Sequence, residues 1–231
     1  MSNADEARGS PMLTVCCVNA GNYLGRGDEY IANLYWCIQL ERPYRFVCFS
    51  DGDHPGIDGG YEQRPLPYPG LKGWMNKLAL FKPGVFEEGE RVFYLDLDTV
   101  IAGGLDDIAA YDGEFAMLED FLFPQLRASG VMAWRGGFGA HIWESYAAAG
   151  FPQDVRFEGY TFGGDGAWIM KHAGRMDVLQ DLYPNQFASY KASGGVLSPH
   201  TRLVCFHGSP RPHEVTSGWV PALWKGEATC R

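Results

Sequence analysis

At 231 residues, with 46% hydrophobic side chains, the chain is ordinary for a globular protein and long enough to bury a sizeable core. A net charge of −9 and the lack of any basic run exclude binding driven by nucleic-acid phosphates. No apolar run reaches membrane-spanning length and no signal-peptide pattern opens the chain, so a soluble, cytoplasmic protein is expected.

Residues 1–11 are small and polar without periodicity. They read as a disordered tail or an expression remnant, with Met12 as a plausible native start. Residues 13–18 then form a strand-like run that enters the turn-rich segment Asn19-Ala20-Gly21-Asn22. Residues 28–40 place Ile31, Leu34, Tyr35 and Ile38 at helical spacing behind an acidic first turn. A second strand is expected at 44–50, and the Pro/Gly-rich stretch 54–73 is expected to be irregular. A helix over 74–81 should stop at Pro83-Gly84.

The apolar run 91–101 reads as one buried strand, followed by shorter strands at 115–118 and 131–134. Helical patterns follow at 141–149 and 166–173, and a late strand at 203–206. Strands alternating with helices predict an α/β fold, a mixed, mostly parallel sheet flanked by helices, in a single domain. The half from 12 to 101 is the cleaner unit; the half from 102 to 220 mixes short strands with loops. Six cysteines, none in a C-x-x-C pair, point to buried thiols rather than to disulfides or a zinc site.

The run 91–101 carries Asp96 and Asp98, separated only by Leu97. Two like charges so close are costly unless a cation lies between them, and a hard dication prefers such oxygen ligands. A turn in which both aspartates cap the following segment is the alternative. Near the end of the late strand, His207 and Gly208 are followed by Arg211. A neutral imidazole would complete an Asp/Asp site and favour Mn²⁺ over Mg²⁺, Gly208 permits close backbone approach, and Arg211 offers a planar fork for phosphate. A satisfied structural histidine is the plainer reading.

Asp165, between Gly164 and Gly166, is either a helix cap or an acceptor for sugar hydroxyls. Lys77, beside Trp74 and Leu78, either snorkels at the surface or reaches a phosphate. Asn19 and Tyr23 follow the first strand, where doubly wound folds meet a nucleotide base, and Tyr23 could stack on it.

In this order, Asn19 and Tyr23, Lys77-Leu78, Tyr94-Leu95-Asp96-Leu97-Asp98-Thr99, Ser129 to Met132, Gly164-Asp165, and His207-Gly208 with Arg211, the chain resembles GT-A (Rossmann-like) nucleotide-sugar glycosyltransferases. The nearest likeness is to the glycogenin-like, retaining family 8, over residues 13–214. The resemblance implies that Asp96, Asp98 and His207 hold Mn²⁺ (or Mg²⁺) against the diphosphate of a nucleotide-sugar co-substrate, most often a UDP-sugar. It implies Lys77 and Arg211 at the phosphates, and Asn19, Tyr23, Asp96, Gly164 and Gly208 around the donor. Asp165 would face the transferred sugar, with a saccharide, lipid-linked or protein acceptor. Ala128 and Gly166 depart from the family, which commonly has Asn and Gln there, and so leave open a binding protein without turnover. The segment Asp96-Leu97-Asp98-Thr99-Val100 also resembles the signature of haloacid-dehalogenase-type, Mg²⁺-dependent phosphatases, which usually open their domain with that strand.

Overall fold

Residues 12–54 and 60–226 are described by the computed structural model; the expected tail at 1–11 and Cys230 lie outside them. The first unit is β1 (Leu13–Asn19), α1 (Gly27–Cys37), β2 (Tyr44–Ser50) and the short β3 (Glu62–Pro65). A 3₁₀ helix (Gly73–Phe81) leads to β4 (Arg91–Leu95), β5 (Thr99–Ile101), α2 (Asp106–Ala109), β6 (Phe115–Glu119) and β7 (Arg127–Arg135). The chain continues through α3 (Ala140–Ala148), α4 (Asp165–His172), β8 (Asp177–Val178) and α5 (Leu179–Leu182). It closes with β9 (Phe187–Ser189), β10 (Leu203–Cys205) and α6 (Val220–Trp224).

Among the described residues, seven strands form one sheet in the order β3-β2-β1-β4-β7-β6-β8. Pairing is parallel from β3 to β4 and between β6 and β8, and antiparallel on both sides of β7. Alternate residues of the central strands serve opposite faces. Val15, Cys17, Phe46, Phe93 and Leu95 pack with α1 residues Ile31 and Leu34. Cys16, Val47, Phe49, Val92 and Tyr94 pack with Met75, Leu78 and Leu80 of the 3₁₀ helix and with Ile142 and Ile169. Both faces are covered, which is why these strands read as unbroken apolar runs. Cys16, Cys17, Cys48 and Cys205 are free thiols, as expected, and the Cys37 thiol donates to the Leu223 carbonyl at 3.2 Å. Among the described residues no helix is long and apolar enough to cross a membrane.

Three expectations need correction. The run 91–101 is not one strand. β4 follows β7 as far as the Leu95–Val131 pair, the Asp96 amide then donates to the Gly130 carbonyl at 2.8 Å, and the chain turns. β5 belongs to a second sheet, where it pairs antiparallel with β10, itself parallel to β9. The stretch 54–73 is not wholly irregular, because β3 pairs parallel with β2 at the sheet edge, the position that tolerates Pro65. Residues 73–81 wind as a 3₁₀ helix, with Met75, Lys77, Leu78 and Phe81 all buried.

Candidate functional site

The turn between β4 and β5 sets Asp96 and Asp98 at the open end of the central strands, the ordinary place for a ligand crevice in an α/β sheet. Each aspartate meets a cation from a different part of the chain. The 3₁₀ helix delivers Lys77 from below. Its Nζ stands 3.0 Å from Asp96 Oδ1 and 3.3 Å from Asp165 Oδ2, and donates to Ser129 Oγ at 3.1 Å. The Tyr94 hydroxyl donates to Asp96 Oδ1 at 2.7 Å, and Lys77 Nζ lies 5.6 Å from the Tyr94 ring centre.

Lys77 and Asp165 are each 5% exposed, so these charges are stable only as a set. Burial disfavours the Lys77 ammonium, but Asp165 and Asp96 outweigh it and hold the group above its ordinary value. The Asp165 carboxyl is pushed up by burial against the opposing pull of Lys77. Lys77 therefore does not snorkel, and Asp165 does not cap α4: the cap position is Gly164, while the Asp165 side chain turns inward.

On the other side, Arg211 ion-pairs with Asp98 and its Nη1 donates to the Tyr23 hydroxyl at 2.7 Å. That hydroxyl donates to Asp98 Oδ2 at 2.8 Å. Tyr23 packs edge-on against Tyr30, with centroids 5.0 Å apart, and the Tyr30 hydroxyl bonds His213 Nδ1 at 2.6 Å. The segment carrying Arg211 is thus seated on α1. Burial and the neighbouring Asp96 charge push the Asp98 carboxyl up to about 6.

His207 leaves β10 at the crevice, where its Nε2 bonds Ser189 Oγ at 2.7 Å. Burial and then Lys191 hold the imidazole below its ordinary value, so it is neutral near pH 7. Asp96, Asp98 and His207 line the same two cavities, yet among the described residues no three His, Cys, Asp or Glu groups stand close enough to hold a metal as they are. The expected chelate is not preformed: Arg211 and Tyr23 occupy Asp98, and Ser189 occupies His207. The donor set, two carboxylates that repel each other and a neutral imidazole, still fits Mn²⁺ or Mg²⁺.

Two further expectations change. Asn19 is fully buried; its side chain accepts the Tyr23 amide at 2.8 Å and meets His54 Nε2 at 2.8 Å. It shapes the loop under Tyr23 and lines neither lobe of the crevice. His54 in turn bonds Ser50 Oγ at 2.7 Å and pairs with Asp28. Gly164 is buried too. A Cβ there would lie 2.7 Å from the Trp74 indole nitrogen, so this glycine admits Trp74, and Gly163 is the residue that lines the crevice. Gly208, with φ of 75°, lines it.

Sequence reasoning missed Ser129 and Tyr94 as partners of Lys77 and Asp96. The Ser129-Gly130 pair inside a strand was a signal, since a glycine within a strand often marks a bulge or a place where another group approaches closely.

The crevice has two lobes that share Asp96, Asp98, Gly163, Asp165, Phe206 and His207. The larger, about 530 Å³, is bounded by Tyr23, Trp74, Lys77, Gly208 and Arg211. The smaller, about 240 Å³, is bounded by Phe121, Phe157 and Phe162 with Asp120, Arg127 and Gly166. The larger lobe carries Lys77, Arg211 and the rings of Tyr23 and Trp74; the smaller sets Phe121, Phe157, Phe162 and Phe206 beside Asp120, Arg127, Ser129 and Asp165. A polyanion suits the first, and a less charged molecule suits the second.

No protein-family profile matches this chain, and no curated protein does. Solved structures do. The chain is similar to the glycosyltransferase GlyE in Streptococcus pneumoniae TIGR4, with a TM-score of 0.66 at 14% identity over 94% of this chain. It spans 61% of the GlyE chain. It is also similar to the galactosyltransferase LgtC, solved with donor and acceptor sugar analogues, with a TM-score of 0.65 at 12% identity over 94% of this chain and 97% of that one. Mouse xyloside xylosyltransferase 1 matches at a TM-score of 0.52 and 10% identity, over 87% of this chain and 99% of that one. The fold is therefore the GT-A fold.

Proposed function

We propose that this chain is a metal-dependent glycosyltransferase that moves a sugar from a UDP-sugar to an acceptor hydroxyl with retention of configuration. The observation that carries the reading is the two-lobed crevice, with Lys77, Arg211 and Tyr23 in the larger lobe, four phenylalanines in the smaller, and the acidic turn on the wall between them. Likeness of fold to glycosyltransferases supports it.

In this reading the larger lobe takes the nucleoside diphosphate, with Tyr23 beside the base and Lys77 and Arg211 against the phosphates. Asp96, Asp98 and His207 hold Mn²⁺ or Mg²⁺, which when bound supplies Lewis-acid charge at the diphosphate. Lys77 and Arg211 add positive charge where negative charge grows as the diphosphate departs, so the anomeric carbon becomes electrophilic without a protein nucleophile. Asp165 orients the sugar, and the smaller lobe admits the acceptor. The half at 12–101 serves the nucleotide and the half at 102–220 serves the sugar and acceptor.

The experiment is a thermal-shift panel of nucleoside diphosphates with and without Mn²⁺. A UDP shift that depends on Mn²⁺ is expected, with loss of Mn²⁺-dependent turnover in Asp98→Asn while the fold persists. Wild-type turnover in that variant would remove the metal assignment.

One observation favours a second reading, a nucleotide-sugar-binding protein without turnover: Ala128 and Gly166 offer no polar side chain to the smaller lobe. Donor hydrolysis followed over hours separates the two. The phosphatase reading loses its footing, because among the described residues three strands precede the one that leads to Asp96.

A further inference from the structure

The apolar wall of the smaller lobe does not stop at the crevice. Phe162 lines the lobe and continues outward onto Phe123, with ring centroids 5.1 Å apart. Tyr160 joins at 5.2 Å from Phe162, and Phe157 at 5.9 Å. Phe162 remains 39% exposed, Phe123 36% and the adjacent Leu122 50%. The platform is held in place by backbone bonds: Gly164 N to Val155 O at 2.7 Å, Phe157 N to Phe162 O at 3.1 Å, and an Arg156–Gly163 bridge. Exposed large apolar groups in contact, at the mouth of a cavity, mark a binding surface rather than scattered surface residues.

Part of the polar capacity within the patch is already committed. Asp120 Oδ1 accepts the amides of Leu122 and Phe123, both at 2.9 Å. Gln125 donates to the Tyr160 hydroxyl, and Arg127 Nη1 donates to the carbonyls of Pro124 and Leu126 at 3.1 and 3.0 Å. A bare saccharide laid there would exchange water bonds for few protein bonds. An apolar group would lose nothing and gain burial.

We infer that the acceptor is a glycoside of an apolar aglycone, its sugar hydroxyl entering the smaller lobe while the aglycone rests on Leu122, Phe123 and Phe162. The inference rests on the transferase reading, and narrows its acceptor from any hydroxyl compound to an amphiphilic glycoside. One continuous surface carries it, from the Asp96–Asp165 wall through Phe157 and Phe162 to the exposed rim.

Calorimetric titration of the full chain with Mn²⁺ and UDP present tests it. The probes are n-octyl and methyl β-D-glucopyranosides and β-D-galactopyranosides, below micelle-forming concentrations. An octyl glycoside should bind about tenfold tighter than its methyl counterpart, the gain from withdrawing roughly two methylenes from water. Phe123→Ser/Phe162→Ser should erase that preference and leave the UDP affinity unchanged; Leu122→Ser should reduce it. Equal binding of octyl and methyl glycosides, or a preference that survives the double substitution, overturns the inference. So does a double variant that turns a dimer into a monomer by sedimentation, since the patch then faces a second copy. Failure of wild-type UDP binding overturns the transferase reading itself; intact UDP binding without an octyl preference overturns only this step.

Discussion

Lys77 and Arg211 both bring positive charge to the Asp96–Asp98 turn, but their surroundings differ. The Lys77 side chain is 7% exposed, locked between Asp96, Asp165 and Ser129 beneath the sheet end. The Arg211 side chain is 26% exposed, on a segment outside both sheets, and it pairs with Asp98 and Tyr23. The first cation belongs to the folded framework; the second is exchangeable. The difference lies in the cations rather than the acids: Asp98, with a side chain 12% exposed, is held by the exchangeable arginine, whereas Asp96, 30% exposed, meets the lysine that the fold requires.

Breaking the inner set is expected to have the largest effect. Lys77→Met strands Asp96 and Asp165 without their cation and should cost about 3–5 kcal/mol. For a chain of this size that lowers Tm by roughly 10 °C, read by thermal or urea unfolding. Arg211→Gln should cost less than Lys77→Met in the same assay, because the buried Asp98, already pushed up to about 6, takes a proton readily and so is not left as an unpaired charge. Its effect belongs in binding instead, an approximately tenfold loss of UDP affinity in Mn²⁺ by calorimetry. Equal destabilisation by the two substitutions would dissolve the contrast.

A smaller effect sharpens it. Asp98 holds its proton more tightly in the folded chain than in the unfolded one, so metal-free protein should lose stability as pH rises from about 4 to about 6. Asp98→Asn should flatten that slope, measured by urea unfolding at stepped pH in chelator. The smallest expected change is in His207→Ala, which should weaken Mn²⁺ binding more than Mg²⁺ binding, because the imidazole matters more to the softer ion. Equal losses for both ions would count against His207 as a ligand.

The central strands were legible because burial on both faces leaves long β-branched and aromatic runs, as in Val92-Phe93-Tyr94-Leu95. The same property hid the break after Leu95. Leu97, Val100 and Ile101 are as buried as the strand before them, so composition gave no sign that the chain changes sheets. β10 was legible as the late strand at 203–206, but the three-residue β9 was not, and its pairing with β10, like that of β10 with β5, is something local pattern cannot reveal. At the site, residue types announced the acids, the lysine and the arginine. Their partners were not readable, since Tyr23 and Arg211 reach Asp98 from 75 and 113 positions away. Asn19 misled for a related reason: the end of a first strand suggests ligand contact, but here the Asn19 amide bonds His54 and the Tyr23 backbone.

The peptide link from Leu95 to Thr99 leaves the seven-stranded sheet and enters the three-stranded one. It is therefore a weld between two scaffolds, and the spacing of its acids is covalent rather than a matter of docking.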